Sequence, residues 1–295
     1  RIIRPLPEYF RKNGYETFAS GKIHHNSLCV HSYTQQAVDI NKASREPDPT
    51  AMVPRADREW SVNNIATIRT ANYSHAPCMA DCIDWSGGSG EGPPKSVKLV
   101  SGPSDDTVMD CMDGITAQFG VDVLRQKHEK PFFLATGFVR PHLPFIAPRQ
   151  YFEHYPLESL QLHPVKEDDL ADSPWVARRN AHVQDDINVR QADPQGRARV
   201  IQAYYACASF VDDMIGLVLT ELAQSAYADN TIVVFWSDHG WHLGEKRSWR
   251  KFSLWEESAR TPMIIADPRS PVAAGQQCSR PVGLIDLYPT LTDLC

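Results

Sequence analysis

The sequence predicts an α/β fold with a mostly parallel central sheet and helices on both faces. Two short apolar runs, 132–138 and 231–236, have the β-branched and aromatic composition of buried parallel strands. Each run follows a stretch with apolar residues at helical spacing, 105–127 and 197–224. Helices and strands that alternate along a chain are typical of a parallel sheet between two helical layers.

The remaining elements are predicted from local patterns. Residues 5–14 have the pattern of a short amphipathic helix that ends at Gly14, and 15–19 that of a short strand before Gly21. The stretches 26–103 and 141–193 are polar and rich in Pro, so we expect long surface excursions there, the second facing a substrate. A third apolar run lies at 263–266, and a helix is predicted to begin near Asp286.

Bulk properties limit the classes of function. The chain has 295 residues, with 30 basic and 36 acidic side chains and a net charge of −6. This balance gives no indication of nucleic-acid binding, and no apolar run is long enough for a membrane span. Seven scattered cysteines indicate neither a disulfide scaffold nor a zinc cluster. We therefore expect one large domain over 1–295.

The most informative segment follows the second apolar run. Asp238 and His239 stand in a turn next to Gly240, directly after the predicted strand 231–236. Open α/β sheets place their chemistry at the carboxyl ends of strands, and Asp and His are common ligands of divalent cations. The triplet alone is also compatible with a purely structural turn.

Three other segments give the turn a context. They are Gly21-Lys22-Ile23-His24-His25, then Arg140-Pro141-His142 after the first apolar run, and Trp249-Arg250-Lys251 after the Asp-His turn. Taken together and in this order, the four segments resemble the type I sulfatases of the alkaline phosphatase superfamily. The resemblance is strongest to the iduronate-2-sulfatase-like branch and extends over nearly the whole chain.

This resemblance implies roles for individual residues. The catalytic group contacting sulfate comprises Lys22, His25, His142 and Lys251. The metal ligands are Asp238 and His239, for Ca²⁺ or alternatively Mg²⁺. Positions that would border the substrate are Arg140, His24, Trp241, His242 and Trp249, although ordinary packing is the competing interpretation for the aromatic ones.

Elementary chemistry agrees with these assignments. Cleavage of a sulfate ester builds negative charge on the leaving oxygen, so the site needs cations and hydrogen-bond donors arranged in advance. Two lysines and a metal ion would meet that need, and His25 or His142 could protonate the leaving alcohol. An acidic net charge does not oppose an anionic substrate, because a few cations can dominate the field inside a pocket.

The sequence also departs from the family pattern. Type I sulfatases use a formylglycine nucleophile made from the Cys of a Cys-x-Pro/Ala-x-Arg motif, upstream of the Gly-Lys-x-x-His element. No cysteine of this chain stands in that motif, and the first pair of acidic metal ligands is absent. The resemblance therefore implies that 1–295 is a partial catalytic domain, incomplete at both ends, without its upstream nucleophile segment and C-terminal subdomain. We expect such a fragment, whose formylglycine lies outside this chain, rather than a protein that has lost its nucleophile.

The predicted function is hydrolysis of a sulfate ester on a sulfated carbohydrate. One alternative is a phosphodiesterase or phosphonate hydrolase of the same superfamily, and another is a non-catalytic protein that binds sulfated glycans. The expected partners are the sulfated sugar and a formylglycine-generating or other sulfatase-maturing enzyme. The family's substrates further predict export to a periplasm, a lysosome or the extracellular medium.

Overall fold

The computed structural model describes residues 5–23, 35–36, 83–84 and 99–295. Helices and strands alternate within these ranges, so the predicted α/β class is confirmed. The helices are α1 (Leu6–Lys12), α2 (Met112–Arg125), α3 (Arg149–Phe152), α4 (Trp175–Asn180), α5 (Val183–Ala192), α6 (Gly196–Gln224), α7 (Glu256–Ala259) and α8 (Leu287–Leu294). The strands are β1 (Glu16–Gly21), β2 (Gln35–Gln36), β3 (Ile83–Asp84), β4 (Val100–Ser104), β5 (Phe132–Gly137), β6 (Phe145–Pro148), β7 (Val233–Trp236) and β8 (Met263–Ala266).

The strands form parallel and antiparallel pairs. β1 lies between β2 and β5 and is parallel to both, with Glu16 opposite Phe132 and Gly21 opposite Gly137. β4 is parallel to β6 and antiparallel to β3. β7 and β8 form an antiparallel pair, so the run at 263–266 does not extend a parallel sheet with β7.

Helices cover both faces of the β1–β5 pair. Successive side chains of a strand point to opposite faces, and Phe132 and Leu134 pack with Phe119 of α2. Phe133 points the other way and stacks on Phe10 of α1, with ring centroids 5.1 Å apart. The predicted two-layer covering is therefore present around β5.

The long helix α6 supports the larger core. Its buried side includes Val200, Cys207 and Phe210, which join a cluster containing Phe145 of β6 and the fully buried Trp249. The predicted apolar face is correct near the start of α6, but Leu219 is 44% exposed because the helix extends beyond this cluster.

Two regions differ from the sequence-based expectation. α2 begins at Met112 rather than near residue 105, since Thr107 Oγ1 donates to Asp110 Oδ2 and residues 108–110 form a separate 3₁₀ turn. The polar stretch 141–193 contains α4 and α5, whose low apolar content hides them from periodicity. None of the described helices combines the length and apolar character that crossing a membrane requires.

Candidate active site

The carboxyl ends of β1 and β5 approach each other through two glycines. Gly21 has φ +81°, and a Cβ there would lie 2.0 Å from the carbonyl oxygen of Gly137. The backbone N–H of Lys22 donates to the same carbonyl oxygen at 2.6 Å. Only glycine tolerates this approach, so Lys22 is fixed directly at the edge where β5 ends.

Lys22 reaches the carboxyl end of a third strand. Its Nζ donates to Asp238 Oδ2 at 2.8 Å, across 216 positions of sequence. Burial acts to raise the pKa of Asp238, but the hydrogen bond and charge of Lys22 outweigh burial, and the pKa is lowered. Asp238 is therefore ionised at neutral pH.

A second lysine pairs with a histidine at the same edge. Lys251 Nζ donates to His142 Nε2 at 2.7 Å, while His142 Nδ1 donates to the carbonyl oxygen of Leu143 at 2.9 Å. The His142 ring meets the Trp241 ring edge to face, with centroids 4.9 Å apart, and Lys251 Nζ lies 5.4 Å from the centre of that ring. Trp241 thus supports both members of the pair.

Both members of this pair titrate away from their ordinary ranges. Burial lowers the pKa of His142 to about 4, with the charges of Lys251 and Lys22 acting in the same direction. Burial and the charge of Lys22 lower the pKa of Lys251 to about 8. At neutral pH the shared proton therefore resides on Lys251 Nζ, and the His142 imidazole is neutral.

His239 presents an unused nitrogen beside Asp238. Its Nδ1 donates to the carbonyl oxygen of Gly240 at 2.9 Å, which leaves the lone pair on Nε2. That Nε2 is buried, has no hydrogen-bond partner, and lies 3.5 Å from Asp238 Oδ2. A carboxylate oxygen and an adjacent free imidazole nitrogen fit a divalent cation, with the carboxylate as the ligand that Ca²⁺ prefers.

These two donors form only part of a metal site. Calcium takes six to eight oxygen ligands, and no group of three or more potential ligand side chains occurs in the described portion of the chain. The calcium prediction thus fits Asp238 and His239, but it depends on ligands outside the described residues.

A buried carboxylate holds the turn before His142. Asp113, on the first turn of α2, accepts hydrogen bonds from the backbone N–H groups of Val139 and Arg140 at 2.8 and 3.0 Å. Burial raises the pKa of Asp113, although the charge of Arg140 and both hydrogen bonds oppose the shift. Sequence analysis missed this residue, because its only signal was an acidic side chain at a helix start.

The segment before Lys251 is anchored to α5. Asp186, which is fully buried, accepts from Trp249 Nε1 and Arg247 Nε at 3.2 Å each, and Asp185 accepts from Arg250 Nε at 2.7 Å. The carbonyl oxygen of Lys251 also accepts a hydrogen bond from Ser258 Oγ. These contacts were not predicted, since the polar pattern of α5 gave no indication of buried partners.

Other predicted substrate contacts occupy less accessible positions. Arg140 Nε donates to the carbonyl oxygen of Ile146 at 2.6 Å. His242 and Trp249 are fully buried, and His242 Nε2 lies 2.7 Å from Ser253 Oγ. The burial of His242 and Trp249 favours the packing interpretation that the sequence left open. Substrate contact by Arg140, His242 and Trp249 stays a prediction. His24 and His25 lie outside the described residues.

Comparison with known proteins gives a consistent family relationship. The sequence profile described as Sulfatase matches residues 3–295. A sulfatase of Formosa agariphila is 34% identical over 290 residues, covering 98% of this chain and 51% of the relative. The human iduronate 2-sulfatase is 26% identical over 300 residues, covering 97% and 48%. The chain thus spans about half the length of these relatives.

Solved structures agree on the fold. A 2-O GAG sulfatase superposes with a TM-score of 0.57 at 21% identity, covering 99% of this chain and 52% of that one. A phosphonate monoester hydrolase from Silicibacter pomeroyi superposes with a TM-score of 0.55 at 26% identity, covering 65% of this chain and 39% of that one. The shared architecture is compatible with more than one ester chemistry.

Proposed function

Because the chain belongs to the sulfatase family, we propose that the complete protein hydrolyses sulfate monoesters on a sulfated carbohydrate. The observation that supports this most strongly is the convergence of Lys22, His142, Asp238 and Lys251 at one edge of the fold. Two ammonium groups lie within one site of a protein whose net charge is −6. Such a local excess of positive charge attracts a small anion despite the overall balance.

The two lysines have different tasks in this proposal. Lys251 faces a neutral imidazole, so its charge is free to bind sulfate oxygens. Lys22 is paired with Asp238 and contributes a second donor to the same site. Their fixed positions would stabilise negative charge as the S–O bond lengthens, without reorganisation during the reaction.

Proton transfer to the leaving alcohol is assigned to the Lys251–His142 pair. Breaking the ester S–O bond leaves an alkoxide oxygen that needs one proton, and the pair holds one between Nζ and Nε2. The low pKa of His142 means that this proton starts on Lys251 at neutral pH. Water supplies the remaining atoms, so the net products are the alcohol, sulfate and one proton.

Two groups outside the described residues complete the proposal. A divalent cation bound by Asp238 and His239, with further ligands, would polarise a sulfate oxygen. The sulfatase resemblance implies a formylglycine nucleophile outside this chain, made by a maturing enzyme. Export of the complete protein belongs to the same proposal, since its sulfated polymer substrates would be met outside the cytoplasm.

The test measures turnover by the complete protein on 4-nitrophenyl sulfate and on a sulfated oligosaccharide. Lys22→Ala and His142→Ala should each lower kcat about 10²–10³-fold, the usual effect of removing a group that stabilises developing charge. Lys127→Ala is the matched control, because Lys127 is 85% exposed and lies before the amino end of β5.

Three outcomes would contradict the proposal. Near-parental rates in both site variants would remove the residue assignments. Faster cleavage of a phosphonate monoester or phosphate diester than of any sulfate ester would favour the phosphonate hydrolase alternative, which the Silicibacter pomeroyi structure keeps open. Sulfated-sugar binding without turnover, in a complete protein lacking the Cys-x-Pro/Ala-x-Arg motif, would favour a glycan-binding protein.

A further inference from the structure

An exposed aromatic and basic surface continues outward from Lys251. Phe252 is 59% exposed, and its ring lies 5.9 Å from Lys251 Nζ. The centroid of the Phe252 ring also lies 5.6 Å from that of His182, which stands two residues after the end of α4. We name Trp175, Arg178, Arg179, His182 and Phe252 the α4 rim.

The outer part of the rim combines an aromatic face with guanidinium groups. Trp175 is 64% exposed, unusually high for the largest apolar side chain, and Arg179 Cζ lies 5.2 Å from the centre of its ring. Arg178 occupies the same last turn of α4 and is also exposed. An exposed indole face beside guanidinium groups has the chemistry that suits a flat ligand carrying negative charge.

The positive charge of the rim is not neutralised locally. Within the described ranges, neither Arg178 nor Arg179 forms an ion pair with a carboxylate. Asp185 and Asp186 of α5 are already engaged by Arg250 and by Trp249 with Arg247. On the other side of α4, the exposed Asp172 forms no ion pair with either arginine of the rim. An anion that approaches α4 therefore meets two free guanidinium groups beside an aromatic ring.

We propose that the α4 rim binds a second sulfated sugar unit of an oligosaccharide whose first sulfate group occupies the Lys22–Lys251 site. Trp175 provides a flat apolar face for a sugar ring, and Arg178 and Arg179 provide paired donors for sulfate oxygens. Phe252 and His182 connect this surface to Lys251. The inference rests on the proposed function and narrows its substrate to multiply sulfated oligosaccharides rather than single sulfated sugars.

The experiment measures binding of a heparin hexasaccharide to the complete protein by calorimetry, alongside turnover of 4-nitrophenyl sulfate. The variants are Trp175→Ala and the double substitution Arg178→Ser with Arg179→Ser. The matched control is Arg125→Ser with Lys127→Ser, which also removes two exposed cations, one at the last residue of α2 and one in the connection to β5. Thermal unfolding midpoints verify that each variant remains folded.

We expect the Arg178/Arg179 variant to weaken hexasaccharide binding about tenfold, since two exposed charge contacts are each worth about threefold to fivefold in affinity. Trp175→Ala should weaken it to a similar extent, while the control remains within about twofold of the parent. Raising the salt concentration should reduce the difference between the Arg178/Arg179 variant and the parent, because screening weakens exposed charge contacts.

Failure of the rim and failure of the proposed function have different signatures. Hexasaccharide affinities of the rim variants within twofold of the parent, or no hexasaccharide binding by the parent, would overturn the rim. Absence of turnover on 4-nitrophenyl sulfate and on the hexasaccharide would contradict the proposed hydrolase, while the affinities would still decide the rim. Equal losses of hexasaccharide affinity in the rim and control variants would show that binding depends on the overall charge of the protein. That result would also overturn the inference.

Discussion

Asp186 is the residue whose substitution tests most directly how the Lys251 segment is held. It is fully buried on α5 and accepts hydrogen bonds from Trp249 Nε1 and Arg247 Nε at 3.2 Å each. It also forms an ion pair with Arg190, whose Nε lies 3.1 Å from Asp186 Oδ2. Trp249 stands two residues before Lys251 and is itself fully buried. Truncation to Ala would leave the indole N–H of Trp249 without its acceptor and the guanidinium groups of Arg190 and Arg247 without this carboxylate.

The magnitude follows from these partners. An indole donor left unpaired in the core costs about 1–3 kcal/mol. Arg190 and Arg247 remain 27% and 23% exposed, so water compensates part of each lost ion pair, and each adds about 1 kcal/mol or less. Asp186→Ala should therefore destabilise the protein by about 1–5 kcal/mol, a range that overlaps the cost of breaking a buried pair. Asp186→Asn keeps the shape and should cost about 1–3 kcal/mol.

The assay is urea unfolding of the complete protein followed by tryptophan fluorescence, together with turnover of 4-nitrophenyl sulfate. Asp186→Asn should also lower kcat/KM about tenfold or more, because small displacements of a binding group are costly even when the mutation is remote. Asp193→Asn is the control: its partner Arg199 is 39% exposed, and only a small midpoint change is expected. Unfolding of Asp186→Ala at the parental midpoint would refute the reasoning.

Two further predictions concern the other supports of the site. Asp113→Asn should lower the free energy of unfolding by about 1–3 kcal/mol and reduce turnover. The two backbone N–H groups donate to different oxygens of Asp113, and asparagine replaces one of these oxygens by an NH₂ group. Unchanged values relative to Asp122→Asn, on the same helix, would contradict this. The parental kcat/KM should fall above pH 8, where Lys251, with its pKa lowered to about 8, loses its charge. Lys251→Arg should move that decline to higher pH, and coincident profiles would exclude Lys251 as the titrating group.

Much of the framework was predictable because its signals are local. β5 and β7 are short apolar segments, which is typical of buried strands. α6 has apolar residues at helical spacing over a long segment. α5 was not predictable, since its buried carboxylates pair with Arg247 and Arg250, which lie more than fifty positions away in sequence. Periodicity detects apolar faces, whereas α5 buries carboxylates.

The candidate site divides in the same way. The resemblance to type I sulfatases implied that Lys22, His142, Asp238 and Lys251 belong to one site. The structure pairs Lys22 with Asp238 and Lys251 with His142. The partner of each residue was not available from sequence, since it depends on side-chain positions across about 100 to 200 residues of chain. Whether the proton resides on Lys251 or on His142 depends on how deeply each side chain is buried, and a sequence pattern does not give that burial.

The two lysines are chemically unequal, and this inequality is the main consequence of the structure for function. Lys22 donates to an ionised carboxylate, so much of its charge is compensated in the protein without substrate. Lys251 donates to a neutral imidazole, and no carboxylate compensates its charge in that contact. Burial and the charge of Lys22 lower the pKa of Lys251 to about 8, so its charged form is destabilised at this position. A bound sulfate would relieve that cost at Lys251 but would compete with Asp238 at Lys22. Lys251 should therefore contribute more to anion affinity, while Lys22 contributes to orientation and holds Asp238 in place.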